Sequence, residues 1–234
     1  MPVINGCDIL KDDYKIILGF VDKEYHPILR DFENLWIIVK DDNNCNRNYH
    51  NHVATWYGGV DYAYTGVRHK AQPIPLPFQG VARDLEEQLE YPVGYFNCLL
   101  ANLYTGKGIA PHSDDEVIYM ENDGTIGAVA TISLGGTAIA TITRKNRPEP
   151  NPLAIKLRDK SCYVMPEGNF QNEYTHSVSK PDARNPRRIS LTFRHIPKIK
   201  SGIAHYKVDI EKPEAHAYHS NDDFMYLNVS FPAL

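Results

Sequence analysis

The chain has 234 residues, of which 42% are hydrophobic and 23% are charged, and its formal net charge is −4. Such a composition is typical of a globular protein with one substantial core, and it argues against a chain that coats nucleic acid through a large basic face. No stretch approaches the ~18 continuous apolar residues that span a bilayer. The first residues, Met1–Asp13, lack a basic region followed by an apolar run, so no secretory signal is predicted.

The cysteines are widely spaced and include no C-x-x-C pair: Cys7, Cys45, Cys98 and Cys162. This spacing favours free thiols in a reducing compartment over a disulfide or zinc framework. A location in the cytoplasm or the nucleus is therefore expected.

Residues 1–95 are predicted to form an N-terminal cover over the rest of the chain. The apolar run Leu35–Val39 predicts one strand, and Val53–Tyr57, which ends at two glycines, predicts another. After a proline-rich linker, apolar residues recur at helical spacing and predict an amphipathic helix over 78–90.

Beyond Gly94 the pattern is that of strand after strand, at 96–104, 126–133, 137–143, 153–157, 161–165, 174–179 and 188–195. Many short strands with turn signals between them indicate a β-sandwich or barrel. We predict an α+β, mainly β chain whose core, residues 96–196, is a double-stranded β-helix of the jelly-roll type. Residues 197–234 would add a β-like extension with strands at 203–208 and 224–231, and all three segments would form one domain.

The segment His112–Glu116 reads His-Ser-Asp-Asp-Glu, and a further histidine, His176, lies in a predicted strand. Side chains at positions i and i+2 of a strand point to the same side, so His112 and Asp114 can hold one metal ion. Two histidines and one carboxylate are the ligand set of a mononuclear non-haem Fe(II) site, with open positions for a co-substrate and O2. A hydrolytic zinc site is the alternative for the same three residues.

The segment Arg188–Arg194 alternates polar and apolar residues, so its two arginines share a face with Ser190 and Thr192. An arginine that points into a core is costly unless it meets an anion, and a guanidinium group fits a carboxylate in bidentate fashion. A dicarboxylate co-substrate would supply that anion. The alternative for Arg188 is a surface salt bridge on an edge strand.

Seven blocks between residues 52 and 195 resemble, in order and spacing, those of the AlkB family of Fe(II)/2-oxoglutarate-dependent dioxygenases. They are Trp56-Tyr57-Gly58 with Asp61–Gly66, Phe96-Asn97 with Asn102-Leu103-Tyr104, His112–Glu116, Ile132–Gly135, Val164-Met165 with Phe170-Gln171, His176–Val178, and Arg188–Arg194. The block that contains Val164-Met165 and Phe170-Gln171 is more similar to that of bacteriophage and plant-virus members than to that of animal members.

The resemblance implies a role for each matching position. The Fe(II) ligands would be His112, Asp114 and His176, and four side chains would bind 2-oxoglutarate: Asn102, Tyr104, Arg188 and Arg194. Among these four, Arg188 would pair with the distal carboxylate and Arg194 would lie near the metal-bound end. Glu116 would border the substrate base.

On the substrate side, Trp56 and Tyr57 match the segment that covers the substrate pocket, although plain core packing is the alternative for both. The chain has His52 where relatives that act on duplex DNA often carry an arginine, and Thr137–Thr141 replaces the usual arginine and phenylalanine. The resemblance therefore supports the chemistry more strongly than the identity of the substrate.

The implied activity is oxidative demethylation of N-alkylated bases in DNA or RNA, a repair reaction that needs Fe(II), 2-oxoglutarate and O2. It would release formaldehyde, succinate and CO2. The expected partner is alkylated, single-stranded nucleic acid bound by a monomer, with no membrane involved. Two alternatives remain: an oxygenase that hydroxylates a protein or a small molecule, and a catalytically inactive jelly-roll module that binds a ligand.

Overall fold

A computed structural model of the chain describes residues 8–21, 26–43, 45–47, 53–64, 67–146, 152–197, 203–204 and 218–219. Its strands are Asp8–Lys11 (β1), Tyr14–Phe20 (β2), Cys45–Arg47 (β3), Val53–Gly58 (β4), Tyr62–Tyr64 (β5), Val67–His69 (β6), Cys98–Thr105 (β7), Ile109–His112 (β8), Val129–Gly135 (β9), Ala138–Arg144 (β10), Leu153–Leu157 (β11), Ser161–Met165 (β12), Tyr174–Val178 (β13), Arg187–Arg194 (β14), Ile203–Ala204 (β15) and Tyr218–His219 (β16). The helices are Pro27–Arg30 (α1), Phe32–Lys40 (α2), Leu76–Gln88 (α3) and Phe170–Glu173 (α4), with a 3-10 turn at Val117–Tyr119.

Two antiparallel sheets dominate the fold, which confirms the prediction of a mainly β chain. The larger sheet has eight strands in the order β1-β2-β12-β9-β14-β7-β4-β3, and the smaller has four in the order β11-β10-β13-β8. The hairpins β5–β6 and β15–β16 form two further pairs. Side chains of both large sheets line one pocket, so the sheets face each other across it.

Strand β14 lies in the middle of the larger sheet, between β9 and β7. Its apolar residues Ile189, Leu191 and Phe193 are fully buried in the hydrophobic cluster that also includes residues of α2 and α3. Its polar residues face the pocket instead: Arg188, Ser190, Thr192 and Arg194. The predicted division of this strand into a polar and an apolar face is confirmed, with the polar face turned inward.

Helix α3 confirms the amphipathic helix predicted over 78–90, two residues earlier at each end. The strand predicted at Leu35–Val39 is wrong, because these residues lie in α2. The Asp31 carboxylate caps α2 by accepting the Asn34 N–H at 3.0 Å, and Leu35 and Val39, one helical turn apart, are both fully buried. The side chain of Ile37 is 55% exposed, whereas a strand would have placed it on the same face as Leu35.

The hairpin β1–β2 lies in the segment for which the sequence predicted only a mixed cover. Strand β2 pairs with β12 and extends the larger sheet at that edge. Strand β8 was also not predicted. Near the C-terminus, β15 agrees with the start of the strand predicted at 203–208. The rest of that strand, and the one predicted at 224–231, lie outside the described residues.

Cys45, Cys98 and Cys162 are free thiols, as predicted, and Cys7 lies outside the described residues. Within the described ranges, the helices are too short or too polar to cross a membrane.

The helical assignment of α2 predicts unequal effects of two substitutions that a strand would make similar. Leu35→Ala should lower the free energy of unfolding by about 2–5 kcal/mol, because it leaves a cavity in the core. Ile37→Ala should change it by no more than about 0.5 kcal/mol, because that side chain contacts solvent. Urea unfolding of both variants measures the difference, and equal losses would contradict the helix.

Candidate active site

Three predicted metal ligands come together at one end of the smaller sheet. His112, the last residue of β8, is the direct cross-strand partner of His176 in β13. Ligand atoms of His112, Asp114 and His176 all lie within 4.8 Å of one another. The Nε2 atoms of both histidines lie 3.9 Å from the Asp114 carboxylate, His112 from Oδ1 and His176 from Oδ2. The cluster has the size of a site for a single metal ion.

The prediction that His112 and Asp114 lie on one strand is wrong. The spacing predicted that His112 and Asp114 lie two residues apart on the same strand, but β8 ends at His112. Asp114 lies beyond the strand, where contacts with Arg194 and Gln171 hold it. Its position therefore depends on residues distant in sequence.

The Asp114 carboxylate is buried and pairs with Arg194. Nε and Nη2 of Arg194 both donate to Oδ2 of Asp114, at 3.0 and 2.9 Å. Burial alone would raise the pKa of Asp114, but the Arg194 guanidinium, with the two imidazoles, holds that pKa at about 2. The carboxylate is therefore ionised, and its Oδ1 is on the side of His112.

Both imidazoles suit metal binding. Nδ1 of His112 lies 3.0 Å from the backbone oxygen of Ala110, which can only accept, so this nitrogen carries the proton and Nε2 presents a lone pair. Burial, followed by the nearby His112, lowers the pKa of His176 to about 3, so its ring is neutral at physiological pH. Two imidazoles and one carboxylate fit a divalent iron centre.

Arg188 is a buried cation in the same pocket. Its side chain is 1% exposed, and its Nε donates to Oγ of Ser133 at 2.8 Å. Its guanidinium group lies 5.2 Å from the ring centre of Tyr104, and no carboxylate of the described residues pairs with it. Burial lowers the pKa of Arg188. A buried guanidinium with neutral neighbours is costly unless an anion pairs with it, so this position fits a carboxylate of a ligand.

The pocket between the two sheets is lined by all the residues predicted for the metal and for 2-oxoglutarate: Asn102, Tyr104, His112, Asp114, His176, Arg188 and Arg194. Sequence reasoning did not single out three further polar residues of its wall: Tyr62, Thr131 and Tyr163. Thr131 and Tyr163 are cross-strand partners in β9 and β12. Both lie in predicted strands, and the alternation along those strands was the signal that could have identified them.

The predicted substrate residues Trp56 and Tyr57 do not line this pocket. Both are at most 1% exposed, in agreement with the core-packing alternative, and Trp56 donates through Nε1 to the backbone oxygen of Val60. The ring of Trp56 stacks on Tyr62, with centroids 4.6 Å apart, and it is Tyr62 that reaches the pocket. A substrate contact by Trp56 or Tyr57 stays a prediction.

Glu116 lies next to the pocket through Tyr62, whose hydroxyl donates to Oε1 of Glu116 at 3.1 Å. Burial and the nearby Asp114 carboxylate raise the pKa of Glu116 to about 7. Its predicted position at the border of the substrate base is therefore tied to Tyr62, a residue that was not predicted.

A protein-family model described as the 2OG-Fe(II) oxygenase superfamily matches residues 23–194. Among solved structures, that of OsALKBH1 superposes with a TM-score of 0.59 at 17% sequence identity, over 80% of this chain and 100% of that one. This similarity concerns the fold alone.

Three curated proteins are similar in sequence. The alpha-ketoglutarate-dependent dioxygenase alkB homolog 3 of Rattus norvegicus is 31% identical, over 62% of this chain and 50% of its own length. The RNA replication polyprotein of Apple stem pitting virus (isolate PA66) is 33% identical, over 57% of this chain and 5% of its own length. The DNA oxidative demethylase ALKBH2 of Arabidopsis thaliana is 31% identical, over 44% of this chain and 38% of its own length. The chain thus spans half the rat protein, and less of the other two.

The buried pair of Arg194 and Asp114 predicts a large stability difference between two arginine substitutions. Arg194→Met should destabilise the metal-free protein by about 3–5 kcal/mol, because it leaves the Asp114 carboxylate buried without a cation. Arg187→Met removes a pair between Arg187 and Glu33 at the protein surface and should have a much smaller effect. Chemical unfolding at pH 7 without metal measures both, and equal effects would contradict this assignment.

Proposed function

The chain belongs to the 2OG-Fe(II) oxygenase superfamily, which confirms the resemblance predicted from its motifs. On this premise we propose that it is an Fe(II)/2-oxoglutarate-dependent dioxygenase that demethylates N-alkylated bases of DNA or RNA. One observation carries the proposal: a histidine-aspartate-histidine cluster lines the same pocket as the buried Arg188, which pairs with no carboxylate in the part of the chain that the structure describes. The names of the rat and Arabidopsis relatives, a dioxygenase and a DNA oxidative demethylase, support the reaction class.

The core would be a double-stranded β-helix. The eight strands from β7 to β14 support this, because four belong to each large sheet and consecutive strands mostly alternate between the sheets. Residues 96–196 would form this core, residues 1–95 the cover with the substrate lid, and residues 197–234 an extension of the same domain. Such a core suits the proposed chemistry because a pocket between two sheets can gather side chains from many strands.

The proposed metal ligands are His112, Asp114 and His176. Arg194 would keep the Asp114 carboxylate ionised and oriented, and the backbone oxygen of Ala110 would hold His112 in the tautomer that can bind metal. When bound, Fe(II) with 2-oxoglutarate and O2 supplies the oxidation that converts an N-methyl group into a hydroxymethyl group, which is lost as formaldehyde. The chain's own contribution is to orient these groups and to limit water in the pocket.

Arg188 would anchor 2-oxoglutarate by pairing with its distal carboxylate, and Ser133 and Tyr104 hold the guanidinium group in place. Asn102 and Tyr104 would add hydrogen bonds to the co-substrate. Arg194 is already paired with Asp114, so its predicted role near the metal-bound end of the co-substrate would depend on its remaining N–H groups.

The substrate base would enter beside Tyr62 and Glu116. Tyr62 has an aromatic ring in the pocket wall, supported from behind by Trp56, and aromatic rings stack on exposed bases. A single-stranded substrate presents such a base without the cost of flipping it out of a duplex. We propose that the protein acts on single-stranded nucleic acid as a monomer, in the cytoplasm or the nucleus, where its free thiols stay reduced.

The decisive experiment is a mass-spectrometric screen of methylated single- and double-stranded DNA and RNA, with Fe(II) and 2-oxoglutarate present. We expect succinate, formaldehyde and the unmethylated base in equal amounts, with single strands preferred. A panel of peptides provides the parallel test, and turnover with peptides alone would favour a protein hydroxylase. No succinate with any substrate, and none without substrate, would indicate a binding module.

Removal of any metal ligand should abolish turnover. His112→Ala, Asp114→Ala and His176→Ala should each lower succinate formation to background, because two remaining ligands do not hold Fe(II) in a fixed geometry. His26→Gln is the matched control, since His26 is a buried histidine that pairs with Asp84 outside this pocket. Turnover that survives one of the three changes would remove that residue from the ligand set.

Removal of the proposed anchor should weaken 2-oxoglutarate binding selectively. Arg188→Met should raise the KM for 2-oxoglutarate at least about thirtyfold, because a loss of ~2 kcal/mol or more is usual when one partner of a buried ion pair is truncated. Ser133→Ala should raise it less than about tenfold, since it removes only the hydroxyl that orients the guanidinium group. An unchanged KM in the Arg188 variant would place the carboxylate elsewhere.

A further inference from the structure

The backbone N–H of Asp114 has an unusual partner. Asp114 lies two residues past the end of β8, where strand pairing no longer supplies a hydrogen bond. Its N–H donates instead to Oε1 of Gln171 at 3.0 Å, in a buried contact between residues 57 positions apart. A buried N–H without a partner would cost about 1–3 kcal/mol, so this contact is a strong constraint on where the Asp114 backbone lies.

Gln171 is itself held in one orientation. Its side chain is 1% exposed, and its Nε2 lies 3.5 Å from Sδ of Met165 on β12. The contact with sulfur is weak, but of the two terminal atoms of the Gln171 amide only the oxygen can accept from the Asp114 N–H. If the amide turned over, its NH2 group would face the Asp114 N–H, and two donors would meet. The contact with Asp114 thus fixes the orientation of the amide.

The position of Gln171 along the chain links two ligand-bearing segments. It lies in α4, which leads directly into β13, and His176 follows five residues later. The same side chain therefore ties the segment that carries Asp114 to the start of the strand that carries His176. Arg194 acts on a different part of Asp114, the carboxylate, and comes from β14.

We infer that Gln171 is a positioning residue of the metal centre: its amide oxygen sets the distance between the Asp114 and His176 ligand atoms by holding the Asp114 backbone. This role rests on the metal site proposed above. Bonds to a metal tolerate deviations of only about 0.2 Å, and changes of residues that orient ligands commonly weaken metal affinity by about 10–100-fold.

The test measures Co²⁺ affinity and the visible absorption of bound Co²⁺, which reports coordination geometry, in the full chain without substrate. Gln171→Leu removes the acceptor, and Gln171→Asn keeps the amide but is one methylene too short. Both should weaken Co²⁺ binding at least tenfold and alter the spectrum. Gln171→Glu keeps the length and an acceptor oxygen and should lose no more than about threefold.

Gln79→Leu is the matched control for the loss of a glutamine amide. Gln79 lies in α3, and its Nε2 donates to the backbone oxygen of Ile74, which precedes the helix and lies outside the pocket. This variant should therefore lose stability but keep the affinity and the spectrum. Wild-type Co²⁺ affinity in the Leu and Asn variants would overturn the role of Gln171 alone. Failure of the wild-type protein to bind Co²⁺ would overturn the metal site as well.

Amide hydrogen exchange in the wild-type protein gives a second test that needs no folded variant. The Asp114 N–H should exchange at least a hundredfold more slowly than the N–H of Val117, an exposed residue that begins the nearby 3-10 turn. Exchange of the Asp114 N–H at the rate of the Val117 N–H would show that Gln171 does not hold it and would overturn the inference.

Discussion

The ion pair between Asp114 and Arg194 is the interaction on which the rest of the site depends. Both side chains are buried, and two guanidinium N–H groups converge on one carboxylate oxygen. Pairs of this kind often contribute little net stability, because the cost of removing two charges from water offsets their attraction. The role of this pair in the site explains it better than a contribution to stability does. The pair keeps the carboxylate ionised in an apolar interior and leaves its second oxygen beside His112.

The two inward arginines of β14 differ in what balances their charge. The charge of Arg194 is balanced by Asp114, whereas Arg188, six residues earlier on the same face, contacts Ser133 and Tyr104 and pairs with no carboxylate among the described residues. Because strand geometry keeps both guanidinium groups on one side of the sheet, the pocket holds an excess positive charge at the end distant from Asp114. This asymmetry favours a ligand with a carboxylate at that end. An anion at Arg188 would neutralise the charge that the described residues leave unbalanced.

The aromatic residues near the pocket are arranged in layers. Trp56 is fully buried and supports Tyr62, which reaches the pocket and binds Glu116. A tryptophan in the second layer can affect substrate binding only through the tyrosine in front of it. The sequence departs from the AlkB pattern at His52 and over 137–141, positions that the resemblance assigns to the substrate side.

The sequence by itself determined seven of the eight strands from β7 to β14, helix α3 and the inward polar face of β14, because local periodicity encodes which side chains share a face. The positions predicted for the metal and the co-substrate came from the order of the AlkB-like blocks, and the structure places them around one pocket. The sequence did not determine that Leu35–Val39 is helical, since a short apolar run fits a buried strand or one side of a helix, and only the Asp31 cap and packing decide. Nor could it show that Asp114 lies beyond its strand and is held by Gln171 and Arg194. Contacts between residues that are 57 and 80 positions apart exist only once both sheets have assembled, so the tertiary structure alone fixed them.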